Sequence, residues 1–129
     1  MTLTRRALRI ELMNLLYQYD LYHSENLAFI PNFEYEEVEG IYFQLIDELK
    51  IIDDLIEKNL FDYRLSRLAY VDRAIIRLAV YEMVKTDTAK EVIIDEAVNL
   101  TKIYSNLDDE KQHKFTNRVL DNIASSLKG

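Results

Sequence analysis

The chain contains only two glycines and one proline among its 129 residues, and this scarcity limits its possible folds more than any other feature. Tight turns and β-hairpins depend on glycine for positive φ and on proline for a fixed φ. A sheet-rich sandwich needs a turn roughly every 8–12 residues, whereas long helices joined by short links need few. The sequence therefore predicts an all-α helical bundle.

Apolar residues recur at three- and four-residue spacing along most of the chain, which is the pattern of half-buried helices. The length corresponds to one domain. Thr4 is a predicted N-cap, and Gly40 is expected to mark a break inside the second helical region. We predict five main helices plus one or two short ones. The five main helices cover about 4–21, 35–60, 66 or 68 to 85, 90–104, and 108 or 109 to 127, and the last of them begins at a cap.

The formal net charge of −7 comes mainly from one segment. Residues 34–62 hold ten acidic side chains against two lysines, whereas the rest of the chain holds 14 basic and 13 acidic side chains. The segment is either a solvated helix face, which is the simpler interpretation, or a docking surface for a basic protein. In both cases the ends of the chain can form basic surfaces, so the overall acidity does not exclude nucleic-acid binding.

Three arginines, Arg5, Arg6 and Arg9, lie in the first turns of the first predicted helix. The helix dipole disfavours positive charge there by about 0.3–1 kcal/mol per exposed residue. They are either a solvated helix start whose aliphatic stems cover the core, or a phosphate-binding edge. RNA binding would need a second ingredient close by, an exposed aromatic or amide side chain that contacts bases.

The last predicted helix offers that second ingredient. Lys114 and Arg118 are four residues apart and therefore share a face, and Phe115 and Asn117 add an aromatic ring and an amide. Phe115 fits a core position equally well, because an aromatic residue at helical spacing is often buried. If the first and last helices meet, the two basic segments form one surface.

Catalysis has little support in the sequence. His23 and His113 lack the i, i+4 spacing of a helical metal site, and cysteine, glycine-rich phosphate loops and nucleophile elbows are absent. The acidic residues 108–110 are either magnesium ligands or, more simply, acids favoured in a first helical turn. We expect no enzymatic activity, no metal and no cofactor. No apolar run approaches the roughly 20 residues of a membrane span, so we expect a cytoplasmic protein.

Four blocks of sequence resemble the family of the bacterial transcription antitermination factor NusB. They occur in the family's order and span nearly the whole chain, so together they are specific although each alone is weak. Arg118 stands where the family commonly has glycine. The blocks are Arg5-Arg6-Ala7 with LLYQ at 15–18, VDRAIIRLAVYEM at 71–83, VIIDEAV at 92–98 and KFTNRVLD at 114–121.

The resemblance implies an all-helical fold of two small subdomains, about 1–62 and 63–129. It also implies a heterodimer with ribosomal protein S10 that binds the boxA element of nascent RNA. With other antitermination factors and RNA polymerase, such a complex lets ribosomal RNA transcription pass terminators. Whether the free protein is a monomer or a homodimer stays open.

The resemblance also assigns site residues by position. Arg118 either adds a phosphate contact or obstructs the RNA. The protein-partner face would include Glu82, with Tyr17 and Asp20 as further candidates. The implied RNA contacts are Arg5, Arg6, Arg9, Lys114, Phe115 and Asn117.

Two other functions remain as alternatives. The chain could be a helical protein-interaction module that uses its acidic face and has little RNA affinity. It also resembles the N-terminal module of RNA cytosine methyltransferases, although it has no cysteine to serve as a nucleophile.

Overall fold

The structure, a computed structural model, describes residues 2–61, 64–105 and 110–127. Within these ranges the chain forms six α-helices, a short 3₁₀ helix at Leu65–Arg67 and no strand, which confirms the all-α prediction. The helices are α1 (Arg5–Ser24), α2 (Glu36–Asp47), α3 (Leu49–Lys58), α4 (Tyr70–Lys85), α5 (Lys90–Tyr104) and α6 (Glu110–Ser126).

Local sequence accounts for both ends of α1. Thr4 Oγ1 accepts a hydrogen bond from the Ala7 N–H at 3.1 Å, so the predicted N-cap is confirmed. The helix ends at Ser24, where Asn26 adopts a left-handed φ of 57° and the Leu27 N–H donates to the Tyr22 carbonyl at 2.9 Å. Asparagine tolerates this backbone conformation better than most residues, which explains why the helix stops there.

The predicted break near Gly40 is wrong in position, because Gly40 lies inside α2. The helices separate at Glu48, whose φ of −95° and ψ of 4° end α2 and precede α3. The Glu48 carboxylate also pairs with Lys85 Nζ at 3.0 Å, so the break brings α4 into contact. A tertiary ion pair of this kind leaves no signal in local composition.

The centre of the bundle is α4, which α1, α3, α5 and α6 surround. Every residue from 74 to 83 is buried, and the buried apolar side chains form one cluster with members from all six helices. A helix buried on all sides is normally apolar all round. Here Arg77 and Glu82 are exceptions, and their partners join α4 to its neighbours.

The expected subdomain boundary at 62/63 falls on Asp62 and Tyr63, which lie outside the described residues. Both α1 and α3 pack directly on α4, across that boundary. The division into subdomains therefore stays a prediction. The expected cap of the last helix, at 108 or 109, also lies outside the described residues.

Candidate nucleic-acid interface

The first turn of α1 presents two exposed arginines beside the start of α5. Arg5 Nη1 donates to Thr88 Oγ1 at 3.3 Å, and Arg6 Nη2 lies 3.1 Å from Glu96 Oε1. The hydrogen bond to Glu96 is the main cause of a raised pKa at Arg6. Glu96 therefore partly neutralises Arg6, whereas Arg5 contacts an uncharged hydroxyl group.

Arg9 has a different environment, although it lies only one turn further along α1. Its Nε donates to Glu82 Oε2 at 2.9 Å and its Nη2 to Oε1 at 2.8 Å, in a bidentate pair whose side chains are 7% and 12% exposed. The hydrogen bond to Glu82 raises the pKa of Arg9, so the guanidinium stays charged. Arg9 and Glu82 therefore neutralise each other inside the protein. The structure thus places both side chains inside the free protein, and the assignments of Arg9 to phosphate binding and of Glu82 to the partner face stay predictions.

The sequence carried a signal for this pair. Arg9 precedes Leu12, Met13 and Leu16 by three, four and seven residues, which places it on the apolar stripe of α1. A charged residue on such a stripe needs a buried partner of opposite sign, because burying an unpaired charge is very unfavourable. The sequence does not reveal which carboxylate provides that partner.

Asp20 is also buried, in a network that joins α1, α3 and α4. Arg77 Nη1 lies 3.0 Å from Asp20, Arg77 Nε donates to Asp53 at 2.8 Å, and Arg73 Nη1 lies 3.3 Å from Asp20. Desolvation lowers the pKa of Arg77, but hydrogen bonds and attraction from Asp53 and Asp20 outweigh it and leave the pKa raised. Asp20 is therefore buried and paired in the free chain, and its assignment to the partner face stays a prediction.

Tyr17 is the one expected partner residue that lies at the surface. Its ring meets the Tyr70 ring edge-on, with centroids 6.2 Å apart, and 39% of the residue is exposed. It opens onto a shallow groove of about 220 Å³ between α1, α4 and α5. The other lining residues of this groove are Met13, Asn14, Val71 and Tyr104.

The expected residues of α6 form a basic face with an aromatic centre. Lys114 and Arg118 are exposed, and the Arg118 guanidinium carbon lies 5.9 Å from the centroid of the half-buried Phe115 ring. A guanidinium at this distance is attracted to the ring face. Lys114 Nζ lies 3.4 Å from Glu110, an exposed i, i+4 pair in which water screens the interaction.

This α6 face borders a groove of about 530 Å³. Phe61 and Leu68, from the connection between α3 and α4, line its opposite wall. Asn117 faces elsewhere, into a second groove of similar volume between α5 and α6. Glu91, Asp95 and Asp121 also line that second groove, so its surroundings are acidic.

Within the described residues, the two basic segments lie on helices that have different main neighbours. α1 packs on α2 and α4, whereas α6 packs on α3, α4 and α5. The start of α5 connects them, because Arg5 contacts Thr88 and Lys90 lines the same groove as Asn117. An RNA strand that reaches both segments would therefore have to cross the beginning of α5.

Two further exposed arginines lie in the connection that leads to α4, and the sequence-based site did not include them. They are Arg64 and Arg67, and Arg67 directly precedes the groove residue Leu68. The sequence gives only a weak indication of them, because it shows no more than two arginines three residues apart that follow Phe61.

The described parts of the chain contain no cluster of three or more histidine, cysteine or acidic side chains suited to a metal ion. Residues 108 and 109 of the possible magnesium site lie outside those parts. Among the described helices, none has the length and apolar character needed to cross a membrane.

Comparisons with known proteins agree with this arrangement over nearly the whole chain. The sequence model of the NusB family matches residues 6–125. The transcription antitermination protein NusB of Staphylococcus aureus is 34% identical over 130 residues, which cover 94% of this chain and 98% of that relative.

Solved structures show the same similarity. Thermotoga maritima NusB is 30% identical, with a TM-score of 0.76 over 97% of this chain and 93% of that one. A structure of the antitermination factors NusB and NusE in complex with dsRNA contains a chain that is 29% identical, with a TM-score of 0.73 over 95% of this chain and 96% of that one. The chain therefore belongs to the NusB family of transcription antitermination proteins.

Proposed function

We propose that the protein pairs with ribosomal protein S10 and binds the boxA element of nascent RNA, so that ribosomal RNA transcription passes terminators. It acts as an assembly module in the cytoplasm together with RNA polymerase and other antitermination factors, and it carries out no catalytic step. The observation that carries the proposal is the α6 face, where Lys114 and Arg118 line one groove with the ring of Phe115 in an otherwise acidic protein.

That face combines the two kinds of contact that single-stranded RNA needs. Cationic side chains bind phosphates and supply affinity without regard to sequence. Aromatic and amide side chains contact unpaired bases. On this face Phe115 would do so, and Asn117 would do so from the neighbouring groove between α5 and α6. Arg5 and Arg6 supply further phosphate contacts across the start of α5. The pairing of Arg9 with Glu82 leaves Arg9 a structural role.

The relatives favour the same function. One solved neighbour is a complex of NusB and NusE with dsRNA, and we take NusE as the counterpart of the S10 partner proposed here. In this chain the exposed Tyr17 groove is the surface best suited to that protein partner. Glu82 and Asp20 would support it indirectly by fixing α1 against α4.

Titration of a fluorescently labelled boxA RNA strand tests RNA binding. We expect binding that strengthens when S10 is added and weakens steeply as the salt concentration rises, as counterion release requires. Arg5→Ala with Arg6→Ala should weaken it, and an unlabelled duplex should compete less well than an unlabelled single strand. Unmeasurable affinity even with S10 would contradict the proposal and favour a protein-interaction module based on the acidic face.

Co-purification with S10 tests the partner surface. Tyr17→Asp places a charge in the groove and should weaken the complex. Ile51→Asp is the matched control, because Ile51 is an exposed apolar residue on α3, outside that groove. If both variants retained S10 equally well, the interface with S10 would lie away from Tyr17. Charge reversal at Glu82 is a poor test, because it would disrupt the buried pair with Arg9.

A further inference from the structure

Phe61 has an unusual position for a large apolar residue. It follows α3, is 76% exposed, and forms a wall of the groove that Phe115 lines from α6. A single exposed apolar residue is ordinary on a protein surface. Its place across a groove from a second aromatic residue calls for a functional explanation.

The groove has a suitable size and charge for a small planar group that carries phosphate. Its volume of about 530 Å³ lies within the range of sites that hold small organic molecules. Three cationic residues, Lys111, Lys114 and Arg118, line it together with Phe61, Leu68 and Phe115. The nearest carboxylate on α6, Glu110, is exposed and lies 3.4 Å from Lys114.

Two more cations lie in the same connection as Phe61 and Leu68. Arg64 and Arg67 are exposed there, on either side of the buried Leu65. The positive charges that line the groove itself are those of Lys111, Lys114 and Arg118. An acidic peptide would use these charges but would leave the two aromatic walls without a planar partner, whereas an RNA nucleotide uses both.

We propose that Phe61 is a second base-stacking residue, and that one unpaired RNA base enters the groove between Phe61 and Phe115 while the flanking cations hold its phosphates. This inference rests on the proposed function and assigns a part of the RNA site to the α3–α4 connection. Stacking on an aromatic side chain is tolerant of base identity, so Phe61 adds affinity more than sequence specificity.

The first test compares labelled single-stranded boxA RNA binding to the wild type, Phe61→Ala and Ile51→Ala in the full chain with S10. Loss of one stacking contact should weaken binding roughly tenfold for Phe61→Ala. Ile51→Ala removes a comparably exposed apolar side chain from α3 and should leave the affinity unchanged. Both variants should unfold at the same denaturant concentration as the wild type, because both residues are exposed.

Salt dependence separates stacking from phosphate binding. Phe61→Ala should lower affinity equally at all salt concentrations and keep the wild-type slope, whereas Lys114→Ala should reduce the slope by about one counterion. A reduced slope in Phe61→Ala would mean that the residue acts by positioning cations and would overturn the stacking assignment.

A spectroscopic variant gives direct evidence. The chain has no tryptophan, so Phe61→Trp introduces a unique fluorophore that keeps an aromatic face. We expect near wild-type RNA affinity and quenching of its emission by RNA, but not by polyglutamate. Quenching by polyglutamate alone would identify an acidic-peptide groove instead. If Phe61→Ala binds RNA with wild-type affinity and RNA does not quench Phe61→Trp, this inference alone is wrong. If the wild-type protein does not bind RNA, the proposed function is wrong too.

Discussion

Two buried arginines and two exposed arginines of the bundle have contrasting surroundings. Inside, Arg9 and Arg77 make hydrogen bonds of 2.8 to 3.1 Å to carboxylates. On the surface, Arg5 contacts a threonine hydroxyl and Arg118 lies over an aromatic ring. Desolvation explains the difference, because a buried guanidinium needs an opposite charge and a solvated one does not.

This contrast shows which cations are available to RNA. Arg6 and Arg9 are three residues apart on α1, yet one is exposed and the other is 6% exposed and fully engaged by Glu82. A cluster of basic residues in the sequence therefore overstates the basic surface in the fold. The accessible cations are the ones that no core carboxylate neutralises, and the following experiments test that distinction.

The largest effect is expected from breaking the Arg9–Glu82 pair. Arg9→Leu leaves the Glu82 carboxylate buried without its partner, and we expect a loss of about 3 kcal/mol in the free energy of unfolding. The value lies at the low end of the range for buried pairs because the Glu82 side chain keeps 12% exposure to water. Urea denaturation monitored by circular dichroism measures it.

The double variant Arg9→Leu with Glu82→Leu is the control for that experiment. Replacing both charges with apolar side chains removes the unpaired carboxylate, so most of the lost stability should return. If Arg9→Leu were as stable as the wild type, the pair would not hold α1 against α4. The distinction between buried and surface arginines would then fail at its clearest example.

A smaller effect, in binding rather than in stability, is expected on the α6 face. Lys114→Ala with Arg118→Ala should lower boxA RNA affinity about tenfold and reduce the salt slope by about two. Unfolding should change by no more than about 0.5 kcal/mol, because both side chains are exposed. The matched control is Lys50→Ala with Lys58→Ala, which removes the same charge from exposed positions on α3. Equal losses in both double variants would mean that overall charge, and not this face, governs binding.

Local sequence predicted the positions of the helices closely, but it did not predict where α2 and α3 separate. Apolar spacing and the hydroxyl of Thr4 predict the start of α1, and the bounds 90–104 match α5. These features depend on neighbours within one or two turns. The separation of α2 from α3 lies instead at Glu48, where φ is −95° and ψ is 4°, and no glycine marks that position.

The residues of the candidate site also fall into two groups, those that local sequence predicts and those that depend on tertiary packing. The α6 face was predictable because Lys114 and Arg118 share one side of a single helix. The partners of Arg9 and Asp20 were not, because the ion pairs with Glu82 and Arg77 form only when α1 packs on α4. Phe61 was missed because its relation to Phe115 arises only when α3 packs on α6.

Asp72 tests the rule that buried charges need partners, because one of its carboxylate oxygens has no hydrogen-bond partner among the residues that the structure describes. It is 1% exposed, and its Oδ1 has no hydrogen-bond partner in the described structure. Desolvation raises its pKa, although a hydrogen bond from Ser105 opposes the shift. Asp72→Asn should therefore stabilise the protein at neutral pH, because it removes the buried charge that desolvation disfavours.

The pH dependence gives the sign of that effect. Because the pKa of folded Asp72 is raised, its favourable contribution is complete below the pKa of the unfolded chain, about 4. It is lost as the pH rises through the folded pKa. The advantage of Asp72→Asn over the wild type should thus grow from pH 4 to pH 7 in urea denaturation. A less stable variant at pH 7 would show that the Ser105 bond and the helix dipole outweigh desolvation.

The smallest effect is expected for Arg6, the exposed neighbour of Arg9. Its ion pair with Glu96 is solvated, so Arg6→Ala should leave the urea midpoint unchanged. Because Glu96 already neutralises part of its charge, Arg6→Ala should also weaken RNA binding less than Arg5→Ala does. Glu96→Ala should strengthen binding slightly, and only at low salt, where surface charges are poorly screened. A larger loss for Arg6→Ala than for Arg5→Ala would mean that RNA displaces Glu96, since only then could Arg6 act as an unpaired cation.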